Sequence, residues 1–205
     1  MAFNATTFRQ ALKYGGARPN AFEIQIVFNQ TPVTNLANKA GLDATGKEIT
    51  VMANGTQMPG SIIGTVPLPY FGRVVNVSGD RVYEDWQCAI YSDEDFKLRN
   101  FFERWNNMMS FHNYATEREH AIPNINDYVC TVVIKHYTKT GLVDKIVELR
   151  NAFPYMVSPV ELNWQANDQV MMFEVMWKYD YFVTSWDNYQ GKTIDKVTEA
   201  DAANP

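Results

Sequence analysis

Apolar and polar residues alternate in a series of runs along this chain, the period of a half-buried strand. In residues 22–28, Phe22, Ile24, Ile26 and Phe28 share one phase, and Glu23 and Gln25 take the other. Residues 86–91 align Trp86, Cys88 and Ile90, and residues 128–138 set Cys130, Val132 and Ile134 against Thr131 and Lys135. Residues 143–150 and 160–164 keep the same habit. The longest case covers 169–183. There Met171, Phe173, Val175, Trp177, Tyr179 and Tyr181 form an apolar row beside a mixed row of Val170, Met172, Glu174, Met176, Lys178 and Asp180.

A second period belongs to one helix. Leu98, Phe101, Phe102, Trp105, Met108 and Met109 recur at helical spacing, which predicts a helix over about 93–109 with one face for packing. Ser92 with Asp95 three residues on resembles a capping box at its start. A weaker helix fits 5–14, before Gly15-Gly16. Residues 106–127 and 29–60 show little period and read as loops. Residues 184–205 end in small and polar types and read as a flexible extension. In residues 74–86, the run around Ser78-Gly79-Asp80 reads as a hairpin turn, with Gly79 free to take positive φ.

These elements give a mainly β fold in one domain over 1–205: an antiparallel sandwich or barrel of about seven strands with one flanking helix. The predicted core contains Phe22, Trp86, Phe101, Trp105, Trp164, Phe173 and Trp177, because each falls on the apolar phase of its element. Long strands leave unpaired edges, which an isolated chain has to defend or share with other copies.

Composition then narrows the function. The 205 residues are 46% hydrophobic with a formal charge of -5, so the chain is globular and lacks the cationic surplus that backbone binding of nucleic acid demands. Cys88 and Cys130 lie inside apolar strand runs and read as buried thiols. The first residues show no apolar core of a signal peptide, and the greasiest run is broken by Glu174, so no membrane insertion is expected.

Candidate chemistry is sparse. Asp80, Glu84, Asp85, Asp93, Glu94 and Asp95 cluster in sequence, but at turns and a helix start rather than in a walled cleft. His112, His120 and His136 lack metal-ligand spacing. The Gly79-Asp80-Arg81 run opens no helix and so cradles no phosphate. No catalytic, cofactor or metal residue is assigned. Trp186, outside the last strand, is left as a surface aromatic.

Four segments, ARPNAFEIQI (17–26), FGRVVNVSGDRVYEDW (71–86), PVELNWQAND (159–168) and FEVMWKYDYF (173–182), together resemble the tail tube protein family of contractile-tailed bacteriophages. The resemblance covers about residues 15–182. Arg18, Pro19, Asn20 and Phe22 match the junction into the first strand. Gly79, Asp80, Arg81 and Trp86 match the central hairpin, and Trp164, Phe173, Glu174, Asp180 and Tyr181 match the closing strands. Residues 29–56 and 183–205 extend beyond the family pattern.

The resemblance implies a structural virion protein assembled in the host bacterial cytoplasm. Its copies would form hexameric rings stacked into a tube, the conduit for DNA ejection. Implied partners are further copies of itself, a contractile sheath protein outside, baseplate and tail-terminator proteins, and the tape-measure protein and DNA inside the lumen. Arg18, Pro19, Asn20, Gly79, Asp80, Arg81, Glu84 and Asp85 are then candidates for subunit or ring contacts, and Glu174, Lys178 and Asp180 for the lumen. Alternatives are a tube-initiating baseplate protein or secretion-system ring protein of the same fold, and a carbohydrate-binding β-sandwich module.

Overall fold

In a computed structural model of the chain, residues 4–12, 16–28, 31–42, 46–110 and 124–186 are described. The alternating runs form strands whose apolar phases meet in one core. Strand β1 (Phe22–Val27) pairs antiparallel with β6 (Cys130–Tyr137), which pairs with β7 (Val143–Val157). The first half of β7 also pairs with β9 (Tyr181–Trp186), and its second half pairs with β8 (Met172–Lys178). Beyond β8 lie β5 (Trp86–Tyr91) and β2 (Ala53–Thr56).

Strand β7 therefore belongs to two sheet halves, and Asn151 turns it from one to the other with φ of 54°. The Asn151 amide donates to Asp180 Oδ2 at 2.7 Å, and the Asp180 amide nitrogen donates to the Arg150 carbonyl at 3.1 Å. This corner divides the 169–183 run, read as one strand, into β8 and β9. Tyr179 and Asp180 stand outside both.

The helix α4 (Lys97–Met109) buries Leu98, Phe101, Phe102 and Trp105. Trp105 meets Trp177 edge to face at 5.7 Å, and Phe102 meets Trp177 at 5.9 Å. Ile24, Ile26, Val132, Ile134, Leu149, Phe173 and Val175 complete the core. Each buried side chain of this size contributes about 1.5–3 kcal/mol, so the aromatic knot under α4 holds the sheet halves together. Phe22 packs at its margin, half-buried.

Several sequence expectations are corrected. The helix begins at Lys97, not 93. Phe96 occupies its N-cap with φ of 55°, while the Ser92 hydroxyl turns to the Asp93 carbonyl, so no capping box forms. Residues 29–60, read as a loop, contain α2 (Thr31–Lys39), α3 (Lys47–Met52) and β2. Val33, Ala37, Leu42 and Ile49 are core residues, and the Thr50 hydroxyl donates to the Ile24 carbonyl at 2.6 Å.

The weak helix at 5–14 is present as α1 (Ala5–Ala11), and α5 (Ile125–Tyr128) closes part of the 106–127 loop. Residues 160–164 form no strand, and Trp164, expected in the core, is fully exposed. Trp186, placed outside the strands by its sequence, ends β9. Within the extension read at 184–205, residues 184–186 belong to β9; residues 187–205, and also His112 and His120, lie outside the described residues.

Candidate assembly surfaces

Among the described residues, strands β3 (Ser61–Tyr70) and β4 (Arg73–Tyr83) pair only with each other, as a separate two-stranded sheet. The sequence sets the turn at Phe71-Gly72, with φ of 45° and 74°, both positive as a two-residue primed turn requires. Ser78-Gly79-Asp80, expected to be this turn, instead lies within β4. There the register slips between Ile63 and Thr65, so Gly64 faces an extra residue in β4. A side chain on Gly79 would stand 3.1 Å from the Gly64 carbonyl oxygen, which is why the close approach at this bulge suits glycine.

The bulge keeps the two strands in phase. Directly paired residues share a face, and the pairs Ile62–Val82, Val66–Val77, Leu68–Val75 and Tyr70–Arg73 line one face of the arm. The other face carries Ser61–Tyr83, Ile63–Arg81, Thr65–Ser78, Pro67–Asn76 and Pro69–Val74, a mixed set. All ten residues of β3 are exposed. Counting from the turn, Pro67 and Pro69 fall at the positions where a strand's N–H points away from its partner, so the outer edge of β3 lacks two donors. Edge-on pairing is thereby disfavoured, and the apolar face is what the arm offers.

The root of the arm is fastened to the sheet. Trp86 Nε1 donates to the Gln57 carbonyl at 2.8 Å, and Tyr83 packs against Phe182 at 5.5 Å. Asp85 accepts hydrogen bonds from the Lys178 ammonium and, at 2.8 Å, from the Tyr155 hydroxyl. Lys178 also sits 5.2 Å over the Tyr155 ring. The Lys178 hydrogen bond holds the Asp85 carboxyl below the usual carboxylate range, against a smaller opposing cost of burial.

The residues picked from sequence thus occupy separate places. Gly79, Asp80 and Arg81 lie on the arm, and Glu84 and Asp85 lie at its root. Arg18, Pro19 and Asn20 form an exposed turn before β1, where His136 Nε2 lies 2.9 Å from the Arg18 carbonyl oxygen. Pro19 and Asn20 line a shallow groove with Phe22, β2 and Tyr91, at the opposite end of β5 from the arm. Glu174 and Lys178 share the exposed face of β8, and Asp180 lies at the corner with Asn151.

Sequence reasoning missed two features. The first is the arm tip, Tyr70, Phe71 and Arg73, where Phe71 is 90% exposed; a glycine between two β-branched runs was its signal. The second is the segment before β8, where Leu162 is 85% exposed beside the fully exposed Trp164. Its strand-like alternation disguised it. Among the described residues, no three His, Cys, Asp or Glu gather in a metal-ready group. Burial pushes the Cys88 thiol up to about 12 and raises that of Cys130 as well, so both are inert.

The pattern that defines the phage tail tube protein family matches residues 17–185. Tail tube protein gp19 of Enterobacteria phage T4 is 26% identical over 168 residues, 81% of this chain and 90% of its own length. Among solved structures, a chain in the six-fold symmetrised baseplate of the anti-feeding prophage superposes with a TM-score of 0.57 at 10% identity, covering 83% of this chain and 95% of that one. A chain in the extended sheath-tube complex of the PVC extracellular contractile injection system gives 0.54 at 10% identity, covering 91% and 100%. At such identities these two show a shared fold. With the family pattern spanning most of the sequence, the chain belongs to the phage tail tube protein family and is a structural protein of the virion tail.

Proposed function

We propose that the chain forms hexameric rings that stack into the tail tube, a conduit for DNA inside a contractile sheath. Its partners on this reading are its own copies, the sheath, baseplate and terminator proteins, and the tape-measure protein and DNA that occupy the lumen in turn. Its role is mechanical, and no catalytic step is assigned to it. One observation carries the reading: the β3–β4 arm, a detached hairpin with an uncovered apolar face. Two-stranded hairpins are marginal in water on their own, so this face gains its stability from a neighbouring molecule. The ten residues of β3 span about 33 Å, long enough to leave the body of one subunit and lie across another.

Support for the conduit comes from charge. A net charge of -5 gives DNA little to grip, and Glu174, Lys178 and Asp180 on the exposed side of β8 and its corner form the lumen candidate. The arm and its root, with Arg18, Pro19 and Asn20, form the subunit and ring contacts. The test is negative-stain microscopy of the purified chain beside its light-scattering mass. Six-membered rings and hollow tubes are expected. Rings that never stack would favour the tube-initiating role, and a monomer at every concentration would overturn the reading.

A further inference from the structure

The arm leaves the body at a defined end. It joins β5 at Trp86, and Trp86 pairs with Trp177. At the far end of the same two strands Tyr91 pairs with Met172, and there the 158–171 segment enters β8. Its flanks are fixed: Ser158 and Glu174 exchange hydrogen bonds at 2.8 Å, and an Arg99 guanidinium nitrogen donates to the Ser158 carbonyl at 3.3 Å. Between those flanks the Asn163 side chain accepts from the Gln165 amide at 2.9 Å, and the Ala166 amide donates to the Asn163 carbonyl at 3.1 Å. This turn holds Trp164 outward, with Leu162 and Val170 also exposed. Among the described residues nothing packs over Trp164, which is fully exposed.

The root of the arm and the segment that carries Trp164 therefore lie at opposite ends of β5 and β8, an arrangement that suits head-to-tail contacts between identical copies. They also match in charge. The arm tip carries Arg73 as its one charge. The far end is acidic: Glu161 and Asp168 flank Trp164, and Asp93, Glu94 and Asp95 follow β5. Of the nearby cations, Lys97 is engaged with Asp95 at 3.1 Å and Arg99 with Glu103 at 2.8 Å. Aromatic side chains with an arginine, set against exposed apolar side chains that acids flank in sequence, have the composition of an interface hot spot.

We propose that the Leu162, Trp164 and Val170 surface receives the Tyr70-Phe71-Arg73 tip of a second copy of this chain. The contact rests on the tube reading above and specifies how one ring engages the next. The test uses full-length chain carrying Phe71→Cys and Trp164→Cys, since the native thiols are buried. Tubes treated with a short bismaleimide should give a ladder of linked chains on denaturing gels, and either single variant should give none. Tubes without a ladder would overturn the contact. Wild-type chain that never forms rings or tubes would remove the tube reading itself, and the contact with it. Should the double variant not assemble, Arg73→Glu is compared with Arg73→Glu combined with Glu161→Lys and Asp168→Lys. Tubes lost in the first and regained in the second support the contact, and loss in both with unchanged melting temperature overturns it.

Discussion

Gly46 ties an unexpected helix to the sheet. It caps α3 with φ of 67°, and a Cβ there would lie 2.8 Å from the Ile26 carbonyl oxygen. Both the left-handed backbone and the close approach exclude a side chain. Gly46→Ala is expected to destabilise the fold by about 1–3 kcal/mol, measured as a shift of the denaturant midpoint. Asp85 behaves differently, because its folded pKa is depressed by Lys178. A carboxyl of this kind adds stability above its unfolded value, about pH 4. The contribution is lost as pH falls through the depressed folded value. The melting temperature of wild type minus that of Asp85→Asn should shrink as acid is added below about pH 4; a difference independent of pH would show that the carboxylate charge is not what holds Lys178 and Tyr155.

Elements were legible where one period ran unbroken and one face was buried. Strands β1, β5 and β8 each bury alternate residues, and α4 buries every fourth or third. Legibility failed where tertiary geometry overrides the local pattern. The row from Met171 to Tyr181 continues past the β8–β9 corner, and only the partners Asn151 and Arg150 reveal the turn. Helix α2 is rich in Asn and Thr, weak helix formers, and forms because Val33 and Ala37 reach the core. Pro67 and Pro69 supply no N–H to a sheet, and the outer edge of β3 tolerates them. Trp164 falls on the apolar phase of a strand-like run, which predicts burial, and the turn at Asn163 reverses that. The arm itself is separable by the same physics, since among the described residues its strands pair only with each other. Replacing residues 62–82 with an Asn-Gly turn between the paired Ser61 and Tyr83 should leave the unfolding free energy within about 1 kcal/mol of wild type. Assembly into tubes should be lost. A body that unfolds without the arm would contradict its independence.

For the whole molecule, on the proposed tube reading, the charge on the inner wall decides whether DNA can slide. A wall that binds phosphates releases their counterions, so its grip rises steeply as salt falls. A wall bearing Glu174 and Asp180 in every copy repels the same polymer, and Lys178 is occupied by Asp85 rather than free for phosphate. Reversing both acids, Glu174→Lys with Asp180→Lys, changes each subunit by four charges, so a ring of any size becomes strongly cationic there. Both side chains are exposed in the subunit, so folding should survive, although Asp180→Lys gives up the Asn151 hydrogen bond at the corner. Tubes of the variant should capture short DNA duplexes at low salt and release them at high salt, while wild-type tubes capture none. The place of capture then identifies the wall. Duplexes protected from nuclease lie in the lumen, as the proposed orientation of β8 demands. Duplexes captured but fully digested lie on the outer surface, which would turn that face of β8 toward the sheath and leave the lumen to another sheet half.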